Sequence, residues 1–259
     1  MKKSKMAVLV AMVVVLAFSL AACGGSDKSS SDKTVYKVGT EPTFPPFDTT
    51  DEDQNIVGLD MDLIKAIGED QGFDVEFENL SFDGLIPALK AGNIDIVAAG
   101  MNKDDEDRQK EVDFSDSYYE SKLFVAVTED NTTIKSVEDL TPDMKVAAQT
   151  GTTGASKVKE LKDAGKIKEA VILDGLDTCM MKLINGDVSA VINDKPVTEA
   201  YIKKQPDKIK MVGDSLNAES YGFAVQKGND ELLKKINDGL KNIKEDGTFD
   251  KLVDEWFNK

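Results

Sequence analysis

The sequence predicts an α/β protein of two lobes, each a mainly parallel sheet flanked by helices, with two crossing strands between them. Three observations carry this expectation. Segments of strand and helix character alternate, the alternation starts afresh past the middle of the chain, and a stretch of the first half is echoed in the second.

Val35 to Thr40 reads as a strand, and Leu59 to Gln71 sets Leu63, Ile64 and Ile67 on one helical face. A strand at Val75 to Asn79, a helix carrying Leu85, Ile86 and Leu89, and a strand at Ile94 to Ala98 complete the order of a parallel sheet. The pattern resumes after Leu140 with strand Lys145 to Ala148, helix Ala155 to Lys162, strand Val171 to Leu173, helix Leu176 to Ile184 and strand Ser189 to Asn193. LKAGNIDIVAAG (Leu89 to Gly100) aligns with LINGDVSAVIND (Leu183 to Asp194), pairing Gly92 with Gly186 as helix stops. On that register Gly100 and Asp194 occupy equivalent strand ends.

Lys122 to Thr128 and Tyr221 to Lys227 are two further strand-like runs, the second followed by helices Asp230 to Lys244 and Thr248 to Phe257. A chain that leaves one lobe, builds another and returns must cross twice, so both runs are expected to cross and to form a hinge. The expected division places 34–121 and 222–259 in one lobe and 122–221, with the hinge strands, in the other.

At the N-terminus Lys2, Lys3 and Lys5 precede an apolar run from Met6 to Leu20, then Leu20-Ala21-Ala22-Cys23. This is the form of a secretory signal peptide over 1–22. The run falls short of the roughly 20 residues that span a bilayer. The small-small-Cys ending resembles the bacterial lipobox, which makes Cys23 the expected site of lipidation and of anchoring to the cell membrane. Ser26 to Lys33 holds no apolar residue, so 23–33 is expected to be a flexible tether.

A net charge of −16, more acidic still without the first 22 residues, leaves no basic face for nucleic acid. The chain contains no histidine, which excludes Ser-His-Asp and Cys-His catalysis and His-ligated metals. With Cys23 lipidated only Cys179 remains, so neither an intramolecular disulfide nor a Cys-based metal site is expected. No cofactor is expected, and a monomer is the default.

In open parallel α/β sheets ligands bind beyond the carboxyl ends of the strands. In the first half these ends carry Glu41, Phe44 and Phe47, then Phe82, then Gly100 to Arg108; in the second they carry Thr150 to Gly154, Asp174 and Asp194. The turn Gln149-Thr150-Gly151-Thr152-Thr153-Gly154 joins a strand to a helix N-terminus, a place that favours an anion. It lacks the Gly-Lys-Ser/Thr ending of a P-loop. Arg108 is either a solvated charge among acids or a fork that grips a carboxylate. Asp194 either caps the following helix or faces a ligand ammonium. Phe44 lies in TEPTFPPF, a proline-rich loop that is not expected to tuck every ring inward, which would leave an aromatic platform at the strand end.

These residues sit in VGTEPTFPPF, IVGLDMDLIKAI, FDGLIPALKAGNIDIVAAGM, QKEVDFSDSYY, QTGTTG, AVINDKP, YGFAVQKG and DGTFDKLVDEWF. Taken in order, from Val35 to Phe257, they resemble the polar amino acid-binding family of extracytoplasmic solute receptors, which work with ABC importers. The resemblance implies a type II periplasmic-binding-protein-like fold and binding without catalysis. It implies that Arg108, aided by Thr153 in the turn with Thr152, holds the ligand carboxylate, and that Asp194, the Gly100 carbonyl and the Met101-Asn102 segment receive the ammonium. Asn102 stands where the family keeps a small hydroxyl, in a loop longer than usual. The ligand side chain is implied to lie between Phe44 and Phe82 and to meet Glu41 and Gln149. A carboxylate at Glu41 favours arginine or lysine, with glutamine, histidine and cystine left as alternatives. The implied partners are a free amino acid and a membrane permease.

Overall fold

The computed structural model describes residues 33–258. The signal peptide, Cys23 and the tether up to residue 32 lie outside them. Along the chain the first lobe lays down β1 (Thr34–Thr40), the short hairpin β2 (Thr49–Thr50) and β3 (Ile56–Val57), α1 (Leu59–Gln71), β4 (Phe73–Asn79), α2 (Phe82–Lys90), β5 (Ile96–Val97), α3 (Glu106–Glu111) and β6 (Val112–Phe114). The second continues with β7 (Tyr119–Thr128), β8 (Lys145–Gln149), α4 (Thr153–Asp163), β9 (Glu169–Leu173), α5 (Leu176–Ile184), β10 (Ala190–Asp194), α6 (Lys195–Lys204), β11 (Ile209–Val212) and β12 (Ala218–Tyr221). Then β13 (Ala224–Gln226), α7 (Asp230–Glu245) and α8 (Thr248–Phe257) follow.

The two sheets repeat one plan. In the first, β1 lies between β4 and β5, all parallel, and β13 joins β5 antiparallel, with β6 at the edge. In the second, β8 lies between β9 and β10, all parallel, and β7 joins β10 antiparallel, with β11 beyond it. Gly92 and Gly186 end the equivalent helices α2 and α5, at φ 72° and 77°, each donating its N–H to the carbonyl three residues back. The internal echo in the sequence is thus a repeat of structure. Gly100 and Asp194 follow the third parallel strand of their respective sheets.

The apolar patterning finds its partners. Leu59, Met61, Leu63, Ile64 and Ile67 of α1 are fully buried, and α1 packs on α7 and α8. Each such side chain contributes roughly 1.5–3 kcal/mol on leaving water. In the second lobe Val146, Ala148, Ala190 and Ile192 of the sheet meet Ala155 and Val158 of α4.

Two strand expectations are corrected. The run expected at Ile94 to Ala98 is strand only over Ile96–Val97. The run Tyr221 to Lys227 is not one crossing strand: β12 ends at Tyr221 beside β7, and β13 begins at Ala224 in the other sheet. Between them Gly222 donates to Met101 O at 3.2 Å, and Phe223 N–H donates to Ser115 Oγ at 2.9 Å. These bonds to the first lobe take the chain off the β7 ladder.

Candidate functional site

Arg108 lies on α3, a short helix started by Asp105, whose Oδ1 accepts the N–H groups of Asp107 and Arg108 at 2.9 and 3.0 Å. The capped turn aims the guanidinium inward. Nη1 donates to Asn102 O at 3.1 Å, Nη2 donates to Gly151 O at 2.9 Å, and the group sits 5.4 Å over the ring of Phe82. Arg108 is half-buried, and Gly151, which its Nη2 reaches, belongs to the turn of the second lobe. Burial lowers the Arg108 pKa, opposed by the negative charges of Asp105, Glu219 and Asp194.

Asp194 ends β10 and is 5% exposed. Its side chain makes no capping bond to α6. Instead Oδ1 accepts the hydroxyls of Tyr221 and Ser121 at 2.5 and 3.1 Å. Burial first, and then the neighbouring carboxyl of Glu219, hold Asp194 well above the usual carboxylate range. Arg108 on α3 of the first lobe and Asp194 at the end of β10 of the second therefore act on each other electrostatically.

A family model, that of the bacterial extracellular solute-binding proteins, family 3, matches residues 36–259. The chain belongs to this family. It is 33% identical over 260 residues to a probable histidine-binding protein of Neisseria gonorrhoeae, covering 97% of this chain and 95% of that one. It is 32% identical to the L-cystine-binding protein TcyA of Bacillus subtilis (strain 168), with 98% of each chain covered. An ancestral arginine-binding protein bound to arginine superposes with a TM-score of 0.82 at 44% identity, over 87% of this chain and 99% of that one. Membership bears out the two-lobed fold and a solute-binding rather than catalytic role.

In this family 3 protein Glu41, the residue after β1, is 8% exposed. Its Oε2 accepts Thr43 Oγ1 at 2.7 Å and Gln149 Nε2 at 2.8 Å, so Glu41 of one lobe and Gln149 of the other are bonded. Gln149 Nε2 also donates to Asp174 O at 3.0 Å. Burial raises the Glu41 pKa, and the bonds from Thr43 and Gln149 oppose it.

Gly100 has φ 52°, the left-handed region, and a Cβ there would lie 2.6 Å from the Phe44 ring. Its N–H donates to Asp60 Oδ2 at 2.7 Å, where the Tyr118 hydroxyl also donates at 2.7 Å. Asp60 is fully buried, and burial pushes its carboxyl up to about 7.

The expectation of an exposed aromatic platform is corrected, and the other expected site residues are placed by the contacts that follow. Phe44 is not an exposed platform: it is 7% exposed, and Phe47 is fully buried. Phe47 and Asp48 both donate backbone N–H to Phe44 O, and that turn folds both rings inward, Phe47 meeting Tyr119 and Tyr221 edge-on at 4.9 and 5.0 Å. The Met101 side chain is buried in the core of α2 and β5. The Asn102 amide oxygen accepts the N–H groups of Asp104 and Ser220 at 3.0 and 3.4 Å, closing its own loop. Thr152 Oγ1 caps α4, accepting Ala155 N–H at 3.0 Å and donating to Gln149 O at 2.7 Å. Thr153, the first residue of α4, and Phe82, the first of α2, are half-buried beside this turn and Arg108.

Sequence reasoning missed Ser121, Tyr221, Glu219 and Thr43. The first three lie on β7 and β12, and the available signal was a buried Glu219 alternating with Tyr221 in a strand pattern.

Proposed function

We propose that this chain captures a polar L-α-amino acid with a cationic side chain, arginine or lysine, and delivers it to the permease of an ABC importer. The carrying observation is that the Arg108 guanidinium reaches across to Gly151 of the second lobe and feels the charge of that lobe's buried Asp194 carboxyl. A guanidinium and a carboxyl so placed match the carboxylate and ammonium of a zwitterion, and the N-terminus of α4 adds an anion-favouring field.

Glu41 supports the cationic side chain. Its bonds from Thr43 and Gln149 both fall on Oε2, which leaves Oε1 as the acceptor offered to a ligand cation. The half-buried Phe82 ring supplies the aromatic contact. Relatives named for histidine, arginine and cystine share the scaffold, and the acid at Glu41 supports the cationic choice for this chain.

The lobes, 34–121 with 222–259 and 122–221, close about the paired strands Tyr119–Lys122 and Ala218–Tyr221. The ligand binds the closed arrangement better, and that difference drives the shift. Cys23 carries the lipid that anchors a monomer, outside the cytoplasm, to the cell membrane.

Isothermal calorimetry of the purified chain against a panel of amino acids tests this. Arginine or lysine is expected to bind, with the corresponding amides and keto acids failing because each leaves a buried charge unmatched. Absence of heat with every α-amino acid refutes the proposal, and preference for a neutral amino acid refutes the cationic assignment.

A further inference from the structure

The turn Gln149 to Gly154 of the second lobe meets the first lobe at Gly151. A Cβ on Gly151 would lie 2.9 Å from Asp83 Cβ, 3.0 Å from its Cα and 3.3 Å from its backbone nitrogen. Asp83 stands in the first turn of α2, so backbone from one lobe touches backbone from the other with no room for a side chain on Gly151. Gly151 has φ 78°, and its carbonyl accepts Arg108 Nη2 at 2.9 Å. Arg108 in turn sits over the ring of Phe82, the residue before Asp83.

Both sides of this contact are fixed. α2 is held by Leu85 and Leu89, which are fully buried. On the other side Thr150 N–H donates to Leu173 O at 2.8 Å and the Thr152 hydroxyl donates to Gln149 O at 2.7 Å, which pins the turn before and after Gly151. An added methyl is therefore relieved by parting of the lobes, from 2.9 Å to the 3.4 Å at which ordinary van der Waals contact begins. A displacement of that size brings the bond from Arg108 to Gly151 to the limit of a hydrogen bond.

We infer that Gly151 is a positioning residue for ligand capture: its missing side chain lets the lobes meet, and its carbonyl then holds the Arg108 guanidinium in place for the ligand carboxylate. This rests on the amino acid-binding reading above. The bonds to Asn102 O and Gly151 O use one N–H of each terminal nitrogen of Arg108 and leave each of them one N–H to offer a carboxylate. The grip is complete only when the lobes are shut, so affinity and closure depend on the same contact.

Gly151→Ala, compared with Gly186→Ala, tests this. Both glycines lie in the second lobe in the left-handed region, at φ 78° and 77°, so the two substitutions strain the backbone alike, but a Cβ on Gly186 meets nothing within 4 Å. Calorimetry of the full chain with L-arginine is expected to show G151A binding roughly tenfold or more weakly, with G186A within about twofold of the natural chain. Equal losses in the two variants would trace the effect to backbone strain and overturn the inference, as would natural affinity in G151A. Arg108 is the only arginine of the chain, so labelling with ¹⁵N-arginine gives a single set of guanidinium signals. With saturating unlabelled L-arginine, resolved Nη protons are expected in the natural chain and in G186A, and rotationally averaged ones in G151A. Identical spectra in all three overturn the inference. If arginine does not bind the natural chain, it is the parent reading that fails, and the same spectra recorded without ligand still decide whether Gly151 holds Arg108.

Discussion

The hydroxyl of Thr43 accepts the backbone N–H of Leu176 at 3.1 Å, so the first turn of α5 is capped from the opposite lobe. The residue at the N-cap of α5 is Gly175, which has no side chain to do this. The same hydroxyl donates to Glu41, and the Tyr201 hydroxyl donates to the Thr43 carbonyl at 3.1 Å. A single loop residue ties the first lobe to α5 and α6 of the second.

Thr43→Val keeps the shape and loses the hydroxyl. With about 1 kcal/mol per hydrogen bond, ligand affinity is expected to fall roughly five- to tenfold, mainly through faster dissociation. Thr43→Ser is expected to restore it. Stopped-flow dissociation rates check this, and unchanged rates in the valine variant would show that the contact does not hold the lobes together.

In the proposed binding mode, removal of the Arg108 guanidinium leaves the ligand carboxylate unmatched. Arg108→Ala is expected to cost about 2–5 kcal/mol of binding free energy. Arg108→Lys should recover little of it, because an ammonium cannot form the planar pair of bonds. Titration calorimetry with the preferred amino acid reads both.

Glu41→Gln removes the negative charge while keeping an acceptor. The ratio of affinities for arginine and glutamine is expected to shift at least tenfold toward glutamine, measured by competition. An unaltered ratio would separate Glu41 from side-chain selection.

Asp60 makes stability depend on pH. Its folded pKa, about 7, lies above the ordinary aspartate value because of burial, so the folded chain holds a proton that the unfolded chain releases. The contribution is fully present below about pH 4, falls as pH rises from about 4 to 7, and is level above that. Asp60→Asn retains an oxygen for Gly100 N–H and the Tyr118 hydroxyl and carries no charge. Relative to the natural chain it should gain stability between about pH 5 and pH 8, by up to about 4 kcal/mol. Denaturant melts at the two pH values check this.

The alternating elements and the internal echo were legible because they rest on local periodicity. Position at strand ends nominated Glu41, Arg108, Gln149 and Asp194 for the same reason. What stayed hidden depends on contacts between distant segments. The rings of Phe44 and Phe47 turn inward because the loop folds back on Phe44 O, and the break after Tyr221 follows from bonds to Ser115 and Met101. Glu219 escaped notice because its burial follows from pairing with Ser121, far away in sequence and on another strand.

The helix that bears Arg108 has no buried residue. Its placement depends on the Asp105 cap, the two carbonyls and the Phe82 ring, with no apolar side chain of its own to anchor it. Glu106, Asp107, Gln109, Lys110 and Glu111 can therefore drift in evolution with little effect on the fold. Asp105 cannot, and a lineage that loses it would have to rebuild the guanidinium's support before it could keep the same cargo.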